Sequence, residues 1–132
     1  MQQILDFLTA RQDTALSELC QFLRIPSVSA DSAYAPQMQA CANWVLQAMT
    51  DAGLQATIYP TAGHPIVYGE RLVDPTLPTV LIYGHYDVQP ADPLELWKSP
   101  PFEPVLVDGP RGKRVVARGA VDDKGQVMGI VE

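Results

Sequence analysis

Leu81-Ile82-Tyr83-Gly84-His85-Tyr86-Asp87-Val88-Gln89-Pro90 is the stretch from which the rest of the chain is read. Its apolar start predicts a strand from about Thr79 to Tyr83, covered on both faces. Gly84 then lets the backbone turn sharply or come close to another group. His85 follows at the carboxyl end of that strand, where α/β proteins collect their ligands. Asp87 stands two residues on, within reach of the imidazole through a bent loop. A metal-binding histidine needs a partner on its other ring nitrogen, and a carboxylate commonly fills that place.

A second acidic stretch follows at Arg118-Gly119-Ala120-Val121-Asp122-Asp123-Lys124-Gly125. On one reading its acids cap a helix, since carboxylates favour helix starts through the dipole and the orphan N–H groups. On the other, one carboxylate bridges two divalent cations, which repel at ~3.5–4 Å and call for an anion between them. Spacing leaves open whether Asp122 or Asp123 bridges. Taken with His85, the pair suggests one half of a two-metal hydrolase centre.

Around these stretches the chain alternates helix and strand, which argues for an α/β layer architecture. Leu5, Leu8, Ala15, Leu19 and Phe22 follow one helical face, and Ile25-Pro26 ends it. Ser27 to Tyr34 reads as a loop. Pro36 to Ala52 predicts a second helix, with Met38, Ala42, Val45 and Met49 on its apolar stripe and Gly53 closing it. Leu54–Tyr59 and Pro65–Leu72 read as strands. Ala91–Pro104 is a loop rich in proline and aromatics, whose Trp97 and Phe102 suit a plug better than a pocket wall. Val105–Val107 and Val115–Ala117 predict a hairpin with a loop longer than the tight two-residue type. From Asp123 the residues suit a third helix that reaches Glu132 without a stop signal, so a truncated chain is expected.

Composition sets the outer bounds. The 132 residues hold nine basic and fifteen acidic side chains, a net charge of −6. That balance argues against a nucleic-acid partner, since phosphate contacts need clustered Lys and Arg, and Arg111, Lys113 and Arg114 cluster only at a turn. No segment has the ~18 apolar residues of a membrane span, and no leader is visible, so cytoplasmic placement is expected. Cys20 and Cys41 read as reduced, packed thiols. His64, between Gly63 and Pro65, reads as an ordinary exposed residue. No nucleophile elbow, phosphate loop or dinucleotide fingerprint occurs.

Three stretches carry a resemblance. Leu19 to Ser29, Val80 to Pro90 and Arg118 to Gly125 together resemble the zinc-dependent family of acetylornithine deacetylase, succinyl-diaminopimelate desuccinylase, carboxypeptidase G, aminoacylase and carnosinase-type dipeptidases. Gln89-Pro90, Leu96-Trp97 and Ser99-Pro100-Pro101-Phe102 are most similar to the dipeptidase branch. The resemblance implies an α/β fold of three layers, helix, sheet and helix, with a mixed or largely parallel sheet. Residues 1–132 would be the N-terminal part of a di-zinc peptidase catalytic domain, without the family's lid or dimerisation domain.

It also implies roles. His85 would bind one metal, Asp122 would bridge both, and Asp87 would orient His85. Asp123 would sit beside the site, joined to Asp122 by a cis peptide. Two zinc ions, or other divalent metals, would share a water whose pKa falls from 15.7 toward ~7, and a glutamate would act as general base. That glutamate and the remaining ligands lie downstream of the matched motifs in the family, so Glu132 is not assigned as the base and the chain alone is expected to be inactive. The implied substrate is a small dipeptide or an N-acyl amino acid, with no nucleic acid and no membrane, and the complete protein is a candidate homodimer. Ala117 and a longer turn at Gly109–Arg114 depart from the family pattern. Two other readings stay open: a small-ligand-binding module without turnover, and a structural domain in which His85 and Asp122 are incidental.

Overall fold

The computed structural model describes residues 1–132. Helix α1 spans Gln2–Leu23, and Pro26 stops it as the sequence predicts. Only its end is fully buried. Phe22 and Leu23 are fully buried, whereas Leu5 and Leu8 are about half exposed. After a loop and a 3-10 turn at Ser32–Tyr34, helix α2 runs from Ala35 to Asp51 with proline in its first turn. Met38, Cys41, Ala42 and Val45 fall at the i, i+3, i+4, i+7 spacing of one helical face, and all four are buried. Phe22 stacks on Trp44 with ring centroids 4.4 Å apart. This contact joins α1 to α2, and Phe22, Cys41 and Val45 form the centre of the core.

Strand β1 (Gln55–Tyr59) pairs antiparallel with β2 (Ile66–Glu70), in a register from Gln55↔Glu70 to Tyr59↔Ile66. Helix α2 packs on this hairpin. A second hairpin joins β3 (Val105–Gly109) to β4 (Gly112–Val116). Here the sequence reading was wrong about the turn. Pairing continues to Gly109↔Gly112, so Pro110 and Arg111 alone connect the strands. Polar residues that read as loop instead serve as strand ends, because an exposed edge tolerates Asp108 and Lys113 without packing cost. Helix α3 (Lys124–Val131) closes the fold against α1.

The α/β class is as expected. The strand pairing is not. The four strands form two separate antiparallel hairpins, where a mixed or largely parallel sheet was expected. Thr79–Tyr83 belongs to no strand, and Val80, Leu81 and Tyr83 are 79–85% exposed. A strand of a parallel sheet needs hydrogen-bonded neighbours, and neither hairpin lies beside this one in register. No helix is long and apolar enough to cross a membrane.

Candidate metal centre

Three chain segments meet at the site: the loop after α1, the loop from Gly84 to Val88, and the turn before α3. Glycines permit the close approach. A Cβ on Gly84 would stand 2.6 Å from Val127 Cγ2. Gly119 has φ +85°, and a Cβ there would lie 2.7 Å from Val88 Cγ1. Larger residues at either position would hold the two motifs apart.

His85 is the centre of the arrangement. Its Nδ1 lies 3.1 Å from Asp87 Oδ1, and its Nε2 lies 3.0 Å from Asp122 Oδ1. Its backbone N–H donates to Asp123 Oδ2 at 3.2 Å. Burial alone would depress the imidazole pKa. The carbonyl and carboxylate of Asp87 and the carboxylate of Asp122 outweigh it and hold the ring above its ordinary value. Asp122 is 78% exposed against 38% for His85, so the paired atoms are reachable from solvent. The sequence-predicted His85, Asp87 and Asp122 thus come together.

Asp122 and Asp123 are joined by a cis peptide, as the resemblance implied. Asp123 stands at the N-cap position of α3, but its side chain makes no cap bond to the helix. It reaches back to His85 instead. The plain helix-cap reading of these two acids is therefore incomplete, since one carboxylate faces the imidazole ring and the other its amide.

Supporting residues escaped the sequence reading. The Ser29 hydroxyl donates to Asp87 Oδ2. The Ser27 hydroxyl donates to Tyr86 O at 2.7 Å, and Val88 N–H donates to Ser27 O at 2.8 Å. Lys124 is fully buried and caps the end of α1, donating from Nζ to Phe22 O at 2.9 Å and Ile25 O at 2.7 Å. Burial lowers its pKa, with Cys41 opposing. Burial likewise raises the Cys41 thiol, and it pushes the Tyr86 phenol up to about 12. The available signal was chemical: a lysine inside an apolar helix start needs acceptors, and the carbonyls at a helix C-terminus supply them.

Other candidates fall outside the cluster. His64 is exposed, as read, though its Nε2–H donates to Ser29 O at 3.0 Å. Trp97 donates to Ala91 O at 2.8 Å and lies under the Arg118 guanidinium, so it fastens its own loop. Glu132 pairs with Arg11 at 2.9 Å. Both cysteines are free thiols. No group of three or more His, Cys, Asp or Glu side chains is arranged to hold a metal ion.

The sequence profile of peptidase family M20/M25/M40 matches residues 81–132, which contain both motifs. The chain is 34% identical over 139 aligned residues to the Cys-Gly metallodipeptidase dug1 of Schizosaccharomyces pombe, covering 98% of this chain and 29% of that protein. It is 31% identical to the succinyl-diaminopimelate desuccinylase of Azoarcus sp., over 76% of this chain and 25% of that one. The crystal structure of human carnosine dipeptidase 1 superposes with a TM-score of 0.87 at 26% identity, covering 98% of this chain and 29% of that one. The chain therefore spans under a third of the length of these relatives. The chain is thus similar to members of peptidase family M20/M25/M40, dipeptidases among them.

Proposed function

We propose that these residues form the N-terminal part of the catalytic domain of a metal-dependent dipeptidase, with His85 and Asp122 as zinc ligands and Asp87 orienting His85. One observation carries the reading: carboxylates from two distant parts of the chain approach the two nitrogens of one imidazole. Asp87 can hold the ring from one side while the other nitrogen and an exposed carboxylate share a partner. An imidazole nitrogen and a carboxylate oxygen are donor types that suit zinc. Asp123 already spends one oxygen on the His85 amide, so Asp122 is the acid assigned to bridge two cations.

The donor set is partial. Catalytic zinc ordinarily holds three protein ligands, and no cluster of three is arranged here. The reading therefore leaves the remaining ligands and the general base to sequence outside residues 1–132. It follows that these residues alone bind zinc weakly and do not turn over peptide. Bound zinc, or another divalent metal, supplies Lewis acidity that polarises a substrate carbonyl and acidifies water toward a pKa of ~7. The chain's own part is to fix the imidazole through Asp87 and to present negative charge through Asp122. Cytoplasmic placement belongs to the same reading, supported by two free thiols.

The substrate class proposed is a small dipeptide. The likeness to a desuccinylase favours a second reading, hydrolysis of N-acyl amino acids by the same chemistry. Two measurements separate these accounts. Zinc titration of the chain and of His85→Ala should show weaker binding in the variant. The open reading frame containing these residues should then be assayed on dipeptides against N-succinyl and N-acetyl amino acids. Turnover of dipeptides supports the first reading, and N-acyl hydrolysis alone supports the second. Unchanged zinc content and activity in His85→Ala would refute both.

A further inference from the structure

We infer that Ser29 is a positioning residue for His85, acting through Asp87. Ser27, Val28 and Ser29 lie alongside Tyr86, Asp87 and Val88. Val28 bridges Val88 in parallel, and Val88 N–H donates to Ser27 O at 2.8 Å. Both serine hydroxyls donate to the 86–88 segment: Ser27 to Tyr86 O at 2.7 Å, and Ser29 to Asp87 Oδ2. Val28 is 2% exposed and Val88 3%, so packing fixes the clasp as well.

The consequence for Asp87 is specific. A carboxylate with one partner can still rotate about its χ2 bond, because that torsion is broad. Here one oxygen accepts from Ser29 and the other meets His85 Nδ1 at 3.1 Å. The two bonds fix the carboxylate plane, and the plane fixes the ring. The His64 Nε2–H donates to Ser29 O at 3.0 Å and restrains the serine through its backbone. Ser29 is thus the last hydroxyl in a line that runs Ser29, Asp87, His85, Asp122. The geometry stands independently, while its effect on zinc rests on the function proposed above.

Ser29→Thr and Ser29→Val separate the hydroxyl from its volume, since the two side chains share a shape. In zinc-free protein at alkaline pH, the nitrogen chemical shifts of the His85 ring should match wild type in Ser29→Thr. In Ser29→Val they should move toward those of Asp87→Ala. Zinc affinity, read by competition with a chromophoric chelator, should fall about three- to tenfold in Ser29→Val, less than the ~10–100-fold typical on removing a ligand's own partner. In an Asp87→Ala background Ser29→Val should cost nothing further, because residues acting in series do not add. Wild-type ring shifts in Ser29→Val overturn the inference. So do Thr and Val variants that behave alike, or a full separate loss in the Asp87→Ala background. Zinc affinity unaffected by His85→Ala would instead sink the zinc assignment, and the ring shifts would still decide the role of Ser29.

Discussion

Replacing Lys124 by methionine tests the support beneath the site. The side chain keeps its length and most of its apolar contact but loses the ammonium group. Two bonds disappear, to Phe22 O and Ile25 O, and hydrogen bonds of a charged donor contribute ~1.5–3 kcal/mol each. Two effects oppose the loss. The several kcal/mol spent on desolvating a buried ion are returned. Both carbonyls also keep a backbone partner, Ile25 N–H at 3.3 Å and Ser27 N–H at 2.9 Å, so neither is orphaned. The balance is a destabilisation of ~1–3 kcal/mol, or roughly 3–10 °C in Tm for a domain of this size. The pH dependence has a definite sign. Folding lowers the Lys124 pKa below its ordinary 10.5, so between the two values the unfolded chain binds more protons. Wild-type stability gains with rising pH in that window and loses the gain as pH falls through the folded pKa. The variant lacks this gain, so the gap between the two proteins should widen toward pH 10.5. Urea denaturation of both proteins at neutral and alkaline pH measures it. A methionine variant as stable as wild type at neutral pH, or a gap that narrows with pH, would refute the reasoning.

Gly119→Ala combines a positive φ with a Cβ 2.7 Å from Val88 Cγ1. It should destabilise by ~2–3 kcal/mol, from strain of ~1–3 kcal/mol plus overpacking, measured by thermal unfolding. Asp123→Ala frees the His85 amide and should cost ~1–2 kcal/mol, with faster hydrogen exchange at that amide as the direct readout; unchanged exchange would count against the bond. Native-state alkylation followed by mass spectrometry should modify Cys20 well before Cys41, because Cys41 is fully buried and its thiol pKa is raised by that burial.

Local signals told the truth where the determinant was local. Pro26 and Gly53 marked helix ends, and the spacing of Met38, Ala42 and Val45 marked a buried face. Both succeed because a helix satisfies its own backbone and needs only one apolar side. Thr79–Tyr83 misled because its composition describes a strand in a complete sheet, and pairing depends on neighbours that no local pattern encodes. The two-residue turn at Pro110–Arg111 was missed because polar strand ends resemble loop. His85, Asp87 and the Asp122-Asp123 pair could be singled out from residue type and order, and the structure brings them together; only the family resemblance preferred Asp122 over Asp123. Ser29 and Lys124 could not be singled out, because their partners are a distant carboxylate and two main-chain carbonyls, and neither leaves a spacing to detect.

The clasp, the imidazole and the buried ammonium close into a triangle. Residues 22–29 grip residues 86–88 through the two serines, His85 binds Asp122 and Asp123, and Lys124 returns to residues 22–25. A linear chain of contacts can fray from a free end, and a ring of contacts has none. The His85 cluster and the tip of the first helix are therefore expected to open together, so that damage to any side of the triangle is felt by the other two.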